Sequence, residues 1–121
     1  MFYGNSYNKG ILAEDFAIQM LKKKNYTIIG KRVRTKYGEI DILAQKDDFI
    51  IAVEVKFRNS FSIAHECISE KQKRRIFKSL LVVMSERNNS FENYRIDVIF
   101  IIPNGQYQHI ENAFIVQDNI Y

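Results

Sequence analysis

Apolar residues recur at helical spacing early in the chain, where Ile11, Phe16, Ala17, Met20 and Leu21 form one stripe. The spacing predicts a helix over 11–24, beginning near Asn8 or Lys9, after a polar stretch (1–8) expected to be loose. Three segments rich in isoleucine and valine follow, at 26–34, 37–45 and 49–57, with turn residues between them, and read as strands. A polar loop containing Asn59, Ser60 and Ser62 occupies 58–68. A second helix is predicted over 70–87, with Ser69 and Gln72 at capping-box spacing at its start. Residues 94–102 read as a buried strand stopped by Pro103-Asn104-Gly105, and 106–110 as a short edge strand. The order α-β-β-β-α-β describes an α/β domain, a central mixed sheet flanked by helices.

The chemistry concentrates on the hairpin of the second and third strands, in Gly38-Glu39-Ile40-Asp41-Ile42 and Val53-Glu54-Val55-Lys56. Alternation puts Glu39 and Asp41 on one face and Ile40 and Ile42 on the other; Glu54 and Lys56 likewise oppose Val53, Val55 and Phe57. With Asp47-Asp48 as a two-residue tip, Lys46 pairs with Phe49. The same register sets Asp41 opposite Glu54 and Glu39 opposite Lys56; a four-residue loop keeps it and a three-residue loop shifts it. Facing carboxylates destabilise a strand pair, by roughly 4 kcal/mol at about 4 Å and an effective dielectric near 20. A divalent cation between them reverses that sign. Two acids and Lys56 therefore suit metal-assisted phosphodiester cleavage, whereas acids and lysines on a solvated strand face are the plain structural alternative. Glu14 falls on the apolar side of the first helix, beside Ile11, Ala17, Ile18 and Leu21, and either reaches the rim or serves that site.

Composition narrows the classes. The chain has 121 residues, 46% hydrophobic, enough for one domain with a real core spanning 1–121. Eighteen Lys+Arg against 14 Asp+Glu give a net charge of +4, compatible with a nucleic-acid partner. A single cysteine and two histidines are too few for a zinc cluster, so any metal is expected to be an oxygen-liking ion, magnesium or manganese. The lone Cys67, the lack of a signal peptide and the lack of a long apolar run lead us to expect a cytoplasmic protein with no membrane partner.

The run Gly38-Glu39-Ile40-Asp41, then Val53-Glu54-Val55-Lys56-Phe57-Arg58, resembles the YraN-like family of small bacterial proteins. The resemblance extends to Ala13-Glu14, Ala17 and Leu21, to Lys71-Gln72 with Ile76, to Tyr94-Arg95-Ile96-Asp97-Val98, and to Glu111-Asn112-Ala113-Phe114. It implies a restriction-endonuclease-like, three-layer PD-(D/E)XK domain, similar to archaeal Holliday-junction resolvases. On that pattern Asp41 and Glu54 would be metal ligands, with the Val55 backbone carbonyl as a third. Lys56 would be the catalytic lysine, Glu14 the helix acid and Glu39 an accessory acid. Gln72 is either a cap or an accessory near the metal. Ile40 stands where the superfamily has proline, and Arg32 where asparagine is usual, away from the metal site.

Two functions follow: a Mg- or Mn-dependent endonuclease acting on DNA, branched or junction DNA among its substrates, or a non-catalytic nucleic-acid-binding or scaffolding domain. Arg58, placed by alternation beside Lys56, is the first phosphate contact. Lys71, Lys73 and Arg74 at the second helix's N-terminus, and Arg34, are further ones; the alternative for the helix is a solvated face. Tyr37 and Phe61 are candidates for stacking on bases, and His65, Cys67 and His109 are read as structural. A chain this small has little surface to surround a duplex, so a homodimer or a protein partner is expected.

Overall fold

A computed structural model describes residues 6–61, 68–87 and 93–114. Helix α1 (Ser6–Lys23) leads into strands β1 (Thr27–Thr35), β2 (Gly38–Lys46) and β3 (Phe49–Phe57). Helix α2 (Glu70–Glu86), β4 (Asn93–Ile101) and β5 (Tyr107–Ile110) complete the order α-β-β-β-α-β-β. The sheet runs β1-β2-β3-β4-β5. Only β3 and β4 are parallel; the other neighbours are antiparallel. With one helix on each face this is the three-layer restriction-endonuclease-like architecture.

The two faces bury separate cores. Ala13, Ala17 and Leu21 of α1 pack on Ile42, Ala44, Ile51, Val53, Ile99 and Ile101. Ile76, Phe77, Leu80 and Val83 of α2 cover Ile40, Leu43, Ile50, Ala52 and Ile96. Both helices end and begin as their sequences dictate. Asn25 adopts a left-handed φ of 68° after α1. Its N–H donates to the Lys22 carbonyl and the Tyr26 N–H to that of Leu21, each at 3.0 Å. That is a Schellman closure, which turns Tyr26 back onto Leu21. At the start of α2 the Ser69 hydroxyl accepts from the Gln72 N–H, and the Gln72 side chain accepts from the Ser69 N–H.

Two expectations are corrected. Helix α1 begins at Ser6, so residues 6–8 are helical rather than loose; residues 1–5 lie outside the described ones. The hairpin register holds from Lys46↔Phe49 to Ile42↔Val53 and then ends, so Asp41 and Glu54 are not ladder partners, nor are Glu39 and Lys56. Beyond that rung the sheet forks. β2 continues against β1 (Ile40↔Val33, Glu39↔Arg34), while β3 continues against β4 (Glu54↔Val98, Lys56↔Phe100). His65 and Cys67 fall outside the described residues.

Candidate active site

The fork is where the acids meet. Val55 donates its N–H to Asp41 Oδ2 at 2.9 Å, and Asp41 donates its N–H to Glu54 Oε2 at 3.3 Å. Each side chain thus takes the place of a ladder hydrogen bond lost by the splaying strands, which ties its carboxylate to the neighbouring backbone. A strand residue turns its N–H and carbonyl to the same side, so the Val55 carbonyl also opens toward the fork.

The strand phase changes at the same point. Ile40 packs in the α2-side core and Ile42 in the α1-side core, so they do not share a face as alternation predicts. Opposite Asp41, between the rungs Lys31↔Ile42 and Val33↔Ile40, lies Arg32 with a left-handed φ of 52°. A non-glycine residue there is uncommon, and it flips the strand locally. The flip leaves Lys31 and Arg32 both reaching α1: Lys31 Nζ is 3.8 Å from Asp15, and Arg32 Nε donates to Glu14 Oε1 at 2.9 Å. Arg32 is therefore not remote from the proposed site, as the sequence implied; it holds the helix acid.

Electrostatics set the fork apart. Burial, then the Asp41 charge, push Glu54 up to about 8, against lowering by the Asp41 N–H, Lys56 and Arg75. Burial also raises Asp41, with Glu14 and Glu39 adding to it and the Val55 N–H and Lys56 opposing it. Glu14, Glu39 and Lys56 thus all act on Asp41, and Asp41 and Lys56 act on Glu54. Among the described residues, however, no three acids, histidines or cysteines converge tightly enough to cage an ion. What the fork offers is two hard carboxylates and a backbone carbonyl. That set fits magnesium or manganese, which keep waters and take substrate phosphate oxygens as remaining ligands. It does not fit a soft metal.

A polar cleft of about 440 Å³ opens beside the fork on the α1 side, lined by Lys9, Glu14, Val55, Phe57 and Arg58 among others. Arg58 faces this cleft with Val55 rather than sharing the Lys56 face, because β3 ends at Phe57 and alternation no longer directs it. Its Nη1 donates to the Phe57 carbonyl at 2.8 Å. Lys9 lines the cleft without having been singled out in the sequence.

The other predicted residues are scattered around this centre. Glu39 is exposed and pairs with Arg34 at 3.4 Å. Gln72 is engaged in the helix cap. Lys73 pairs with Glu70 at 3.1 Å and lies near the Phe114 ring. Lys71 and Arg74 are exposed on α2. Phe61 is half-buried and packs against the cluster of Val98 and Phe100. The part that Arg75 plays beside the acids was missed: its side chain crosses Gly38, where an added Cβ would lie 2.7 Å from Arg75 Cδ. Gly38, at φ 144°, thus lets the guanidinium lie close enough to act on Glu54. The glycine before the acid motif was the available signal.

A family model described as "Uncharacterised protein family UPF0102" matches residues 13–101. A UPF0102 protein of Sulfurihydrogenibium sp. (strain YO3AOP1) is 40% identical over 108 residues, spanning 88% of this chain and 93% of that one. One from Persephonella marina is 34% identical over 111 residues, spanning 90% and 95%. One from Fervidobacterium nodosum is 41% identical over 105 residues, spanning 84% and 78%. Among the described residues no helix is long and apolar enough to cross a membrane.

Proposed function

The chain belongs to the UPF0102 family, the YraN family its motifs resemble, and we propose that it is a magnesium- or manganese-dependent endonuclease acting on DNA. The observation that carries this reading is the fork. The buried Glu54 and the half-buried Asp41 converge where the strands part, each held by one backbone N–H, and no lysine or arginine is ion-paired to either among the described residues. A buried, mutually repelling acid pair is costly unless a cation completes it.

Asp41, Glu54 and the Val55 carbonyl would hold the ion. Such an ion, when bound, supplies charge neutralisation at a phosphate and a more acidic water. The chain's own residues do the rest. Lys56, beside both acids, donates to a phosphate oxygen or orients the attacking water. Arg58 and Lys9 bind the flanking phosphate in the cleft, where backbone contacts fix the register of the strand. Glu14 lies at the cleft wall and Glu39 at the open rim.

The test is cleavage of labelled single-stranded, duplex and four-way-junction DNA by wild type and Asp41→Asn, in magnesium, manganese or EDTA. Metal-dependent cutting lowered by about a hundredfold or more in the variant is expected. Equal cutting by both proteins overturns the assignment. A second reading, a nucleic-acid-binding domain without catalysis, draws on the Arg32–Glu14 pair, which engages one member of the acid set. It is supported if both proteins fail to cut but bind DNA equally, with strong salt dependence and no need of metal.

A further inference from the structure

We propose that the groove between the β1–β2 turn and α2 binds an unpaired, single-stranded stretch of DNA, one base stacking on Tyr37 and the adjoining phosphates meeting Lys36 and Lys78. This groove has a volume of about 830 Å³, with Arg34, Lys36, Tyr37 and Lys78 on its walls and Leu81 and Val82 among its lining. That size is within the roughly 300–1,000 Å³ of pockets that enclose a small ligand. Glu86 is its one acid, so the lining carries a net positive charge.

Tyr37 is built to be presented. It is 40% exposed, a large ring left outward at a turn. The turn itself is fixed: Thr35 Oγ1 accepts from the Tyr37 N–H at 3.1 Å and is 2.9 Å from the hydroxyl of Ser79, which is buried in α2. The turn that carries the ring is thereby tied to α2 before any ligand arrives. Lys36 Nζ and Lys78 Nζ lie 5.2 and 5.5 Å from the ring centroid, close enough to swing to phosphates on either side of a stacked base. Neither is ion-paired among the described residues.

The occupant follows from this mixture. A duplex keeps the flat faces of its bases stacked and offers only their edges and the phosphates, which leaves an exposed ring with nothing to stack on. Splayed bases over an aromatic platform, with cations along the backbone, are the recognition chemistry of single strands. The groove is continuous in charge with the fork: Lys71, Arg74 and Arg75 line a smaller adjoining pocket with Tyr37 and Lys78, and Arg75 acts on Glu54. The cut strand would thus be gripped in unpaired form beside the acids. That link rests on the nuclease reading; the binding itself does not.

The test is fluorescence anisotropy of the full chain in EDTA, with labelled oligothymidylate and a duplex of equal length. Tyr37→Ala is expected to lower single-strand affinity about tenfold, to lower the ratio of single-strand to duplex affinity, and to be rescued by Tyr37→Phe. Replacing Lys36 and Lys78 together by alanine should reduce the single-strand salt slope by about 1.4, or about 0.7 per lost phosphate contact. Thermal melts of each variant exclude a folding defect. The proposal is overturned if Tyr37→Ala binds the single strand as wild type does. It is also overturned if single strand and duplex weaken equally, or if polyglutamate competes as well as DNA, which would mark an acidic-peptide surface. A wild type that cuts DNA with no Tyr37 dependence of binding overturns the groove alone. One that never cuts, yet binds single strands through Tyr37, overturns the nuclease reading and supports the groove.

Discussion

Two buried acids sit one rung apart on neighbouring strands and are treated in opposite ways. Asp97 pairs with Val53 in the parallel ladder, and Glu54 with Val98. Asp97 is fully buried and receives the Arg95 guanidinium at 2.8 and 2.9 Å, His109 Nε2 at 2.8 Å and the Asn112 N–H at 3.0 Å. Around it, Arg95 donates to the Tyr26 hydroxyl at 2.6 Å, and that hydroxyl donates to Glu111 at 3.0 Å. Lys24 donates to His109 Nδ1 at 3.0 Å, which leaves Nε2 carrying the proton given to Asp97. Burial pushes the Asp97 carboxyl up, but the bonds from His109, Arg95 and Asn112 outweigh it and hold it below the usual carboxylate range. At the fork each acid accepts one backbone N–H and is ion-paired to no lysine or arginine among the described residues; Lys56 acts on both and Arg75 on Glu54 from further off, and burial leaves both acids raised. The fold therefore has the means to satisfy a buried carboxylate and applies them next door. The fork acids have fewer partners, and on the proposed reading a divalent cation would supply what the chain does not.

The largest expected effect is on the satisfied acid. Asp97→Asn takes the buried anion from the half-buried Arg95, leaving it only Glu111 at 4.0 Å, and should cost about 3 kcal/mol in urea unfolding, the lower end of the scale for removing one partner of a buried ion pair. The pH dependence follows from the lowered carboxyl. The folded state holds the proton less tightly than the unfolded chain, so this stability is present above about pH 4 and is lost as pH falls through the depressed pKa. An acid limb as steep in the variant as in wild type would show that Asp97 is not the hub of the network.

The fork should respond with the opposite sign. Glu54 moves from 4.5 to about 8, so the folded state binds a proton that the unfolded chain has released between those values. Its contribution is full below about pH 4.5 and is lost as pH rises toward 8. In EDTA, wild type should lose melting temperature across that window, while Glu54→Gln should lose less and melt higher than wild type at its upper end. Parallel curves for the two proteins would mean that the fork acids are as well satisfied as Asp97, and the contrast would collapse.

Much of this arrangement was legible. Isoleucine- and valine-rich runs and the Asp47-Asp48 tip gave the strands and a register that holds from Lys46↔Phe49 to Ile42↔Val53. Ser69 and Gln72 gave the α2 cap. Past Ile42 the inference failed because alternation assumes one continuous ladder, whereas β2 there follows β1 and β3 follows β4. The phase break needs a left-handed Arg32, which local propensity does not announce. The Asp97 network was visible only as two separate motifs, Tyr94-Arg95-Ile96-Asp97 and Glu111-Asn112, with nothing to join them. Its partners Lys24 and Tyr26 come from the far end of α1, some 70 to 85 residues away along the chain, and only the folded sheet brings them in.

The smallest effect belongs to Arg32, and it separates the two kinds of ion pair most sharply. Arg95 holds a carboxylate that is buried and enclosed on several sides; Arg32 holds Glu14 in a pair about a third exposed on the arginine side. Arg32→Asn removes that pair while keeping a residue that tolerates the left-handed φ of 52°. Unfolding free energy should change by less than about 1 kcal/mol, as for other solvent-accessible pairs. Manganese affinity, read by titration calorimetry, should tighten several-fold on the proposed reading, because Glu14 is released near Asp41, which it already influences. A large stability loss would place Arg32 with Arg95 as a structural anchor. Unchanged manganese binding would make Glu14 a partner of Arg32 alone and leave Asp41 and Glu54 as the whole of the acidic centre.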